Sequence, residues 1–150
     1  DFCLSRGLGD VYKRQTWAWR ASLWARFLDG EKAYEMIRGM MRHSMMDSLF
    51  TTHPPMQVDG TMGIVAGFAE MLLQSRTGRL HLLPALPEAW KNGSVRGLKA
   101  RGNITVDMDW KDGRVTQFRL SSPVAQSVKV AANGTEKTYE LTPETPVKGS

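Results

Sequence analysis

The chain has 150 residues, with 20 Lys and Arg against 15 Asp and Glu, and one cysteine, Cys3. A single cysteine excludes an internal disulfide and any cysteine-based metal site. The basic residues are scattered from Arg6 to Lys148 among acids, with no dense run or aromatic-basic alternation, which describes a solvated surface and no nucleic-acid partner.

Residues 1–15 are punctuated by glycine and lack an apolar core after a basic start, so they do not read as a secretion signal. Gly7-Leu8-Gly9 has neither a third glycine nor a following apolar helix and is not a phosphate loop. From Thr16 to Leu28 the pattern is helical and apolar on nearly every side: Trp17, Ala18, Trp19, Ala21, Leu23, Trp24, Phe27 and Leu28. Such a helix is expected to lie buried between neighbours, with Asp29-Gly30 ending it. A second helix is predicted over Glu31–Met46, where Ala33, Met36, Ile37, Met40, Met41 and Met45 recur at three- and four-residue spacing. Its methionines read as flexible core fillers.

The segment Ser48–Val58 contains Pro54 and Pro55, which deny it helical or central-strand geometry. It leads to Asp59 and a third predicted helix, Gly60–Gln74. Gly60, Gly63 and Gly67 each weaken that helix by about 1 kcal/mol relative to alanine, so close packing of a neighbouring helix is expected in compensation. No apolar run here or elsewhere is long enough to cross a bilayer, so no membrane insertion is expected.

After Thr77-Gly78 the period changes from helix to strand. Arg79–Leu83 reads as a strand ending at Pro84. Ile104, Val106, Met108 and Trp110 alternate with Thr105, Asp107 and Asp109. Lys111-Asp112-Gly113 turns into Arg114–Leu120, and Asn133-Gly134 joins Ser127–Ala132 to Thr135–Leu141 as a hairpin. The tail Thr142–Ser150 is expected to be loose. The pattern divides the chain into residues 1–15, helices over 16–77 and a β domain over 78–150, an α+β arrangement whose second part is an antiparallel β-sandwich-like module. Asn92, Asn103 and Asn133 each begin an Asn-X-Ser/Thr triplet, read here as chance matches.

Asp59 carries the chemical interest. A carboxylate at the start of a helix either accepts hydrogen bonds from free N–H groups there or serves as a reactive group on a rigid element at the mouth of a cleft. The positive end of the helix dipole favours its negative charge in both cases. His53 and Gln57, upstream in the same segment, are polar groups suited to binding hydroxyls. Trp17, Trp19 and Trp24 offer aromatic faces that match the apolar faces of sugars, with Trp17 the favoured candidate; helix packing is the competing role. His43 and His81 read as a helix-surface and a strand residue. No histidine pairs with another ligand at metal-site spacing, so neither metal nor cofactor is expected.

Several separated blocks, taken in order, resemble the end of the catalytic domain of family 95 glycoside hydrolases, the inverting alpha-L-fucosidases. They are Thr16-Trp17-Ala18-Trp19-Arg20, Leu23 through Gly30, Leu49 through Gly60, Ala69 through Ser75, Leu80 through Pro87, Gly93 through Gly102, and Val106 through Gly113. The family usually reads Asp-Gly-Asn-Phe-Gly where this chain has Asp59-Gly60-Thr61-Met62-Gly63. The carboxylate is retained, and the asparagine contact is not.

The resemblance implies the last helices of an (α/α)6 barrel followed by a C-terminal β domain, that is, a fragment lacking the N-terminal part of its own catalytic domain. It implies hydrolysis of terminal alpha-1,2-linked fucose from a fucosylated oligosaccharide or glycan, and a secreted or periplasmic protein. Asp59 then belongs to the side that activates water. The general acid and the partner asparagines lie on earlier segments, so the fragment alone is expected to be inactive. Residues 1–15 fit none of this pattern and resemble a translated sequencing-adaptor segment, with a glycine-rich natural loop as the alternative. Two other readings stay open: another (α/α)6-barrel carbohydrate enzyme, alpha-galactosidase-like or a glycoside phosphorylase, and a non-catalytic carbohydrate-binding or structural module.

Overall fold

The computed structural model describes residues 16–52, 58–143 and 145–149. The readings made for residues 1–15, and for His53 and Gln57, lie outside the described residues. The chain forms two compact units, Asp1–Met71 and Leu72–Ser150.

In the first unit, residues 16–26 form helix α1, followed by α2 (Gly30–Ser44) and α3 (Val58–Leu72). The turn between α1 and α2 is fixed by backbone geometry. Leu28 adopts a left-handed conformation, with φ 64°. The N–H of Asp29 then reaches back to the Trp24 carbonyl and that of Leu28 to Ala25, both at 3.0 Å, which satisfies carbonyls left over at the end of α1. Asp29 begins the next helix as much as it ends the last. Its carboxylate accepts from the Lys32 N–H at 3.0 Å, and that bond holds its pKa below the ordinary carboxylate range.

The buried stripe of α1 is Ala18, Ala21 and Ala25, while Trp19, Phe27 and Leu28 are exposed. Burial on every side, as the pattern predicts, is therefore not found among the described residues. On α2 the buried residues include Ala33, Ile37 and Met40; Met41, on the predicted apolar stripe, is exposed. The segment after α2 doubles back through a bridge between Met45 and Thr51, with the Met46 N–H donating to the Phe50 carbonyl at 2.8 Å.

The second unit is two four-stranded sheets. Strands β1 (Leu73–Arg76), β2 (Arg79–Leu82), β6 (Gln126–Ala132) and β7 (Thr135–Leu141) form one in the order β1-β2-β6-β7. Strands β3 (Gly93–Ala100), β4 (Ile104–Lys111), β5 (Arg114–Ser121) and β8 (Val147–Gly149) form the other in the order β3-β4-β5-β8. Inward-facing residues of both sheets, among them Leu80, Leu82, Val128 and Val130 from one and Val106, Met108, Phe118 and Leu120 from the other, make one continuous core. A single-turn 3-10 segment, Glu88–Trp90, lies between β2 and β3, and its Trp90 carbonyl accepts from the Trp110 indole N–H at 2.7 Å.

Three further differences concern where elements end and how they pair. Helix α3 runs from Val58 to Leu72 instead of from 60 to 74, because Leu73 and Gln74 pair with Leu82 and His81 in the β1–β2 hairpin. The sheet is not wholly antiparallel: β2 and β6 run parallel, since the chain leaves the first sheet after β2, builds β3-β4-β5, and returns as β6. The tail expected to be loose contains β8, which pairs with β5, with Gly149 against the Phe118 ring and the Tyr139 hydroxyl.

The turn chemistry follows the sequence. Asp112-Gly113 and Asn133-Gly134 both have positive φ at both positions, as two-residue hairpin turns require. Asn133 does more than turn the chain. Its side-chain amide donates to the Val115 carbonyl at 2.8 Å and accepts from the Val115 N–H at 2.9 Å, tying the β6–β7 hairpin to the start of β5 in the other sheet. Replacing Asn133 with Ala is expected to cost about 1–3 kcal/mol by stranding both backbone groups and straining the turn. A chemical-denaturation curve measures this, and a midpoint unchanged from the parent would show the bridge to be dispensable.

Candidate active site

The site is built by the contact between α1 and α3. A Cβ added at Gly63 would fall 3.0 Å from the Ala18 Cβ, and one at Gly67 would fall 3.3 Å from the Ala21 Cβ. Small residues on both helices let the backbones approach closely, and that packing compensates for the poor helix propensity of glycine. Gly60, one turn earlier, faces Met40 and Thr51. At the far end of the contact the Arg26 guanidinium donates to Glu70 at 2.9 Å and fixes the two helices in register.

Where the helices meet near the start of α3 there is an open hollow of about 470 Å³, lined by Thr16, Ala18, Trp19, Ser22, Asp59, Gly60, Gly63 and Ala66. That volume lies within the roughly 300–1,000 Å³ of small-ligand sites. Its floor is the alanine and glycine seam. Its polar groups are the hydroxyls of Thr16 and Ser22 and the Asp59 carboxylate, and the Trp19 indole, 62% exposed, supplies an aromatic face. Asp59 is exposed and is the second residue of α3. It stands within the first helical turn, not ahead of it.

Trp17 sits elsewhere. Its indole lies over Gly39 of α2, so close that a Cβ there would be 2.5 Å from the ring, and it is not among the residues lining the hollow. Trp19, and not Trp17, lines the hollow. The signal that separates them is the Ala18, Ala21, Ala25 stripe: it marks the packing side of α1 and puts Thr16, Trp19 and Ser22, three residues apart, along one edge of it. His43 is exposed on α2 and His81 half-buried on β2, where burial and then the neighbouring Arg79 charge push its pKa below the ordinary imidazole value. Among the described residues no cluster of His, Cys, Asp and Glu is arranged to hold a metal. Asp59 is the one acidic side chain among the lining residues described.

Two family models divide the chain where the structure does. The model for the glycosyl hydrolase family 95 catalytic domain matches residues 4–72, and that for the family 95 C-terminal domain matches residues 74–148. The chain belongs to glycoside hydrolase family 95. The first of these matches begins inside the segment 1–15. The chain is 39% identical over 137 residues to Alpha-L-fucosidase 2 of Arabidopsis thaliana, covering 83% of this chain and 16% of that protein. It is 30% identical over 127 residues to Probable alpha-fucosidase A of Aspergillus niger, covering 74% and 16%. It is 28% identical over 146 residues to the protein of the same name in Aspergillus oryzae, covering 85% and 20%. The chain thus spans 16–20% of the length of these relatives.

The glycine seam makes a direct prediction. A Gly63→Leu replacement places a branched side chain against Ala18 and wedges α1 from α3. It is expected to destabilise the helical unit by about 1–3 kcal/mol, the usual cost of overpacking, read as a lowered thermal midpoint. A midpoint equal to the parent's would mean that the two helices do not meet at this seam.

Proposed function

We propose that this chain is the carboxy-terminal part of an inverting alpha-L-fucosidase, comprising the last helices of an (α/α)6 barrel and the β domain after it, and that Asp59 works on the side that activates water. The observation that supports this reading is the position of Asp59: in a family 95 chain it stands on the first turn of α3 and lines an open hollow together with Trp19, Thr16 and Ser22. The substrate is a terminal alpha-1,2-linked fucose on an oligosaccharide or glycan. The relatives' names support the sugar, while the linkage rests on the family resemblance alone.

Inversion needs two carboxyl groups: an acid at the leaving oxygen, and a base that helps water attack the opposite ring face, with space between them for that water. Asp59 supplies the second function, directly or by polarising an amide that touches the water. The acid comes from earlier segments of the same catalytic domain. Exposed apolar residues support that division. Trp19, Phe27, Leu28, Met41, Met46, Leu49, Phe50, Val58, Met62 and Val65 are all exposed on the helical unit, whereas Val124 is the one large apolar residue in that state among those described in the β unit. Helices apolar on several faces belong inside a larger helical assembly. His53 and Gln57 are assigned to sugar hydroxyls; the sugar-stacking role offered to Trp17, which packs over Gly39, passes to Trp19.

In the full-length enzyme, Asp59→Asn is expected to lower kcat by about 10²–10⁴-fold, the range for loss of a positioned proton-transfer group, with KM and melting temperature little changed. Steady-state kinetics on a fucosyl-galactose substrate, read beside a thermal melt, provide the check. An unchanged kcat with a lowered melting temperature would return Asp59 to helix capping. Release of a fucose phosphate in place of free fucose, or turnover of a terminal alpha-galactoside with none of the fucoside, would move the protein to another helical-barrel activity.

A further inference from the structure

The outer face of the β3-β4-β5-β8 sheet carries a second hollow, of about 240 Å³, lined by Arg96, Asp107, Asp109, Gln117, Phe118, Arg119 and Lys148. Its charges are distributed unevenly, and a β-bulge is the cause. The β3–β4 register shifts between Val95 and Leu98, and Gly97 within the bulge has φ 75°. The bulge turns the Gly97 N–H outward to donate to Asp107 at 2.8 Å. It also lays Arg96 across β4, where its guanidinium donates to the Met108 carbonyl at 2.8 Å and to Asp109. The other Asp109 oxygen accepts from the Gln117 amide. These two bonds, that of Arg96 first, hold the Asp109 carboxyl below its ordinary pKa. Both Asp109 oxygens and one Asp107 oxygen are therefore engaged, by Arg96, Gln117 and the Gly97 N–H.

Arg119 and Lys148 are left facing each other. They are direct cross-strand partners, and Asp107, the residue opposite Arg119 on β4, is bonded to Gly97. Among the described residues neither cationic side chain forms a hydrogen bond or an ion pair. Like charges directly opposite on a sheet destabilise it, and an oxyanion between them reverses the sign of that interaction, with the arginine fork suited to bidentate contact. At the other end of the same hollow, the Gln117 amide oxygen and the second lone pairs of the Asp109 oxygens are suited to hydroxyls. A volume below that of full ligand pockets admits one substituted ring end, not a long chain segment.

We propose that this face of the β domain binds an oxyanion substituent, a carboxylate or a sulfate ester, on a saccharide, with Arg119 and Lys148 holding the anion and Asp109 and Gln117 the adjoining hydroxyls. The site is separate from the Asp59 hollow and does not depend on the fucosidase reading, so the two stand or fall apart. Isothermal titration of the 150-residue chain at low ionic strength tests it, with polygalacturonate, dextran sulfate and uncharged dextran as probes. Binding to at least one charged polymer and none to dextran is expected, and the preferred polymer distinguishes carboxylate from sulfate. Arg119→Ala combined with Lys148→Ala is expected to weaken binding at least tenfold. Lys129→Ala combined with Lys137→Ala, which removes the same charge from exposed positions on the other sheet, is expected to change it less than twofold.

Equal losses from the two pairs would reduce the effect to general attraction of polyanions by a basic protein and overturn the site, as would failure of both charged polymers to bind the parent. Amide shifts in the parent chain provide a reading that needs no variant. Perturbation on adding the bound polymer is expected at Gly97, Arg119 and Lys148, and perturbation confined to residues outside that face would also overturn it.

Discussion

The helical unit depends on how closely one backbone can approach another. Gly63 and Gly67 leave room for Ala18 and Ala21, and a side chain of any size at those positions would hold α1 and α3 apart. The same absence of side chains that makes α3 a poor helix in isolation makes it a good neighbour. Its consequence is chemical as well as structural. The seam sets Asp59, on the first turn of α3, beside Thr16, Trp19 and Ser22 of α1, so groups more than thirty residues apart in sequence line one hollow. Glycine here is a positioning device for a carboxylate.

The β unit solves a different problem. It closes a core of its own from two sheets and leaves little apolar surface exposed among its described residues. Side chains fasten the turns to the opposite sheet or to the intervening segment, as Asn133 does to Val115 and Trp110 to Trp90. Among its described residues the helical unit leaves more apolar surface open, including Trp19, Phe27, Leu28, Met41 and Phe50.

Much of this was legible in the residues. Period-2 alternation over Ile104–Lys111 and the Asp112-Gly113 and Asn133-Gly134 pairs identify strands and turns whose local physics is strong enough to act alone. Three features were not legible. Strand β3 is interrupted by a bulge at Arg96-Gly97, which breaks alternation. Strand β8 is three residues long and exists only because β5 has an edge to offer and Phe118 and Tyr139 a surface for Gly149. The parallel β2–β6 pair is set by where the chain returns after building the second sheet, and no local pattern encodes that. At the site, a carboxylate at a helix start was readable as a candidate. The placing of Trp19 over Trp17 at the hollow was legible only through the Ala18, Ala21 and Ala25 stripe, which marks the face of α1 that the glycines of α3 select.

The central claim is that the hollow between α1 and the first turn of α3 receives the reacting sugar. A crystal structure of the full-length protein with fucose bound tests it most directly. The account predicts the sugar ring against Trp19, with a water between its anomeric carbon and Asp59 or a group that Asp59 holds. A structure in which another helix fills that hollow and the sugar lies remote from Asp59 would contradict it.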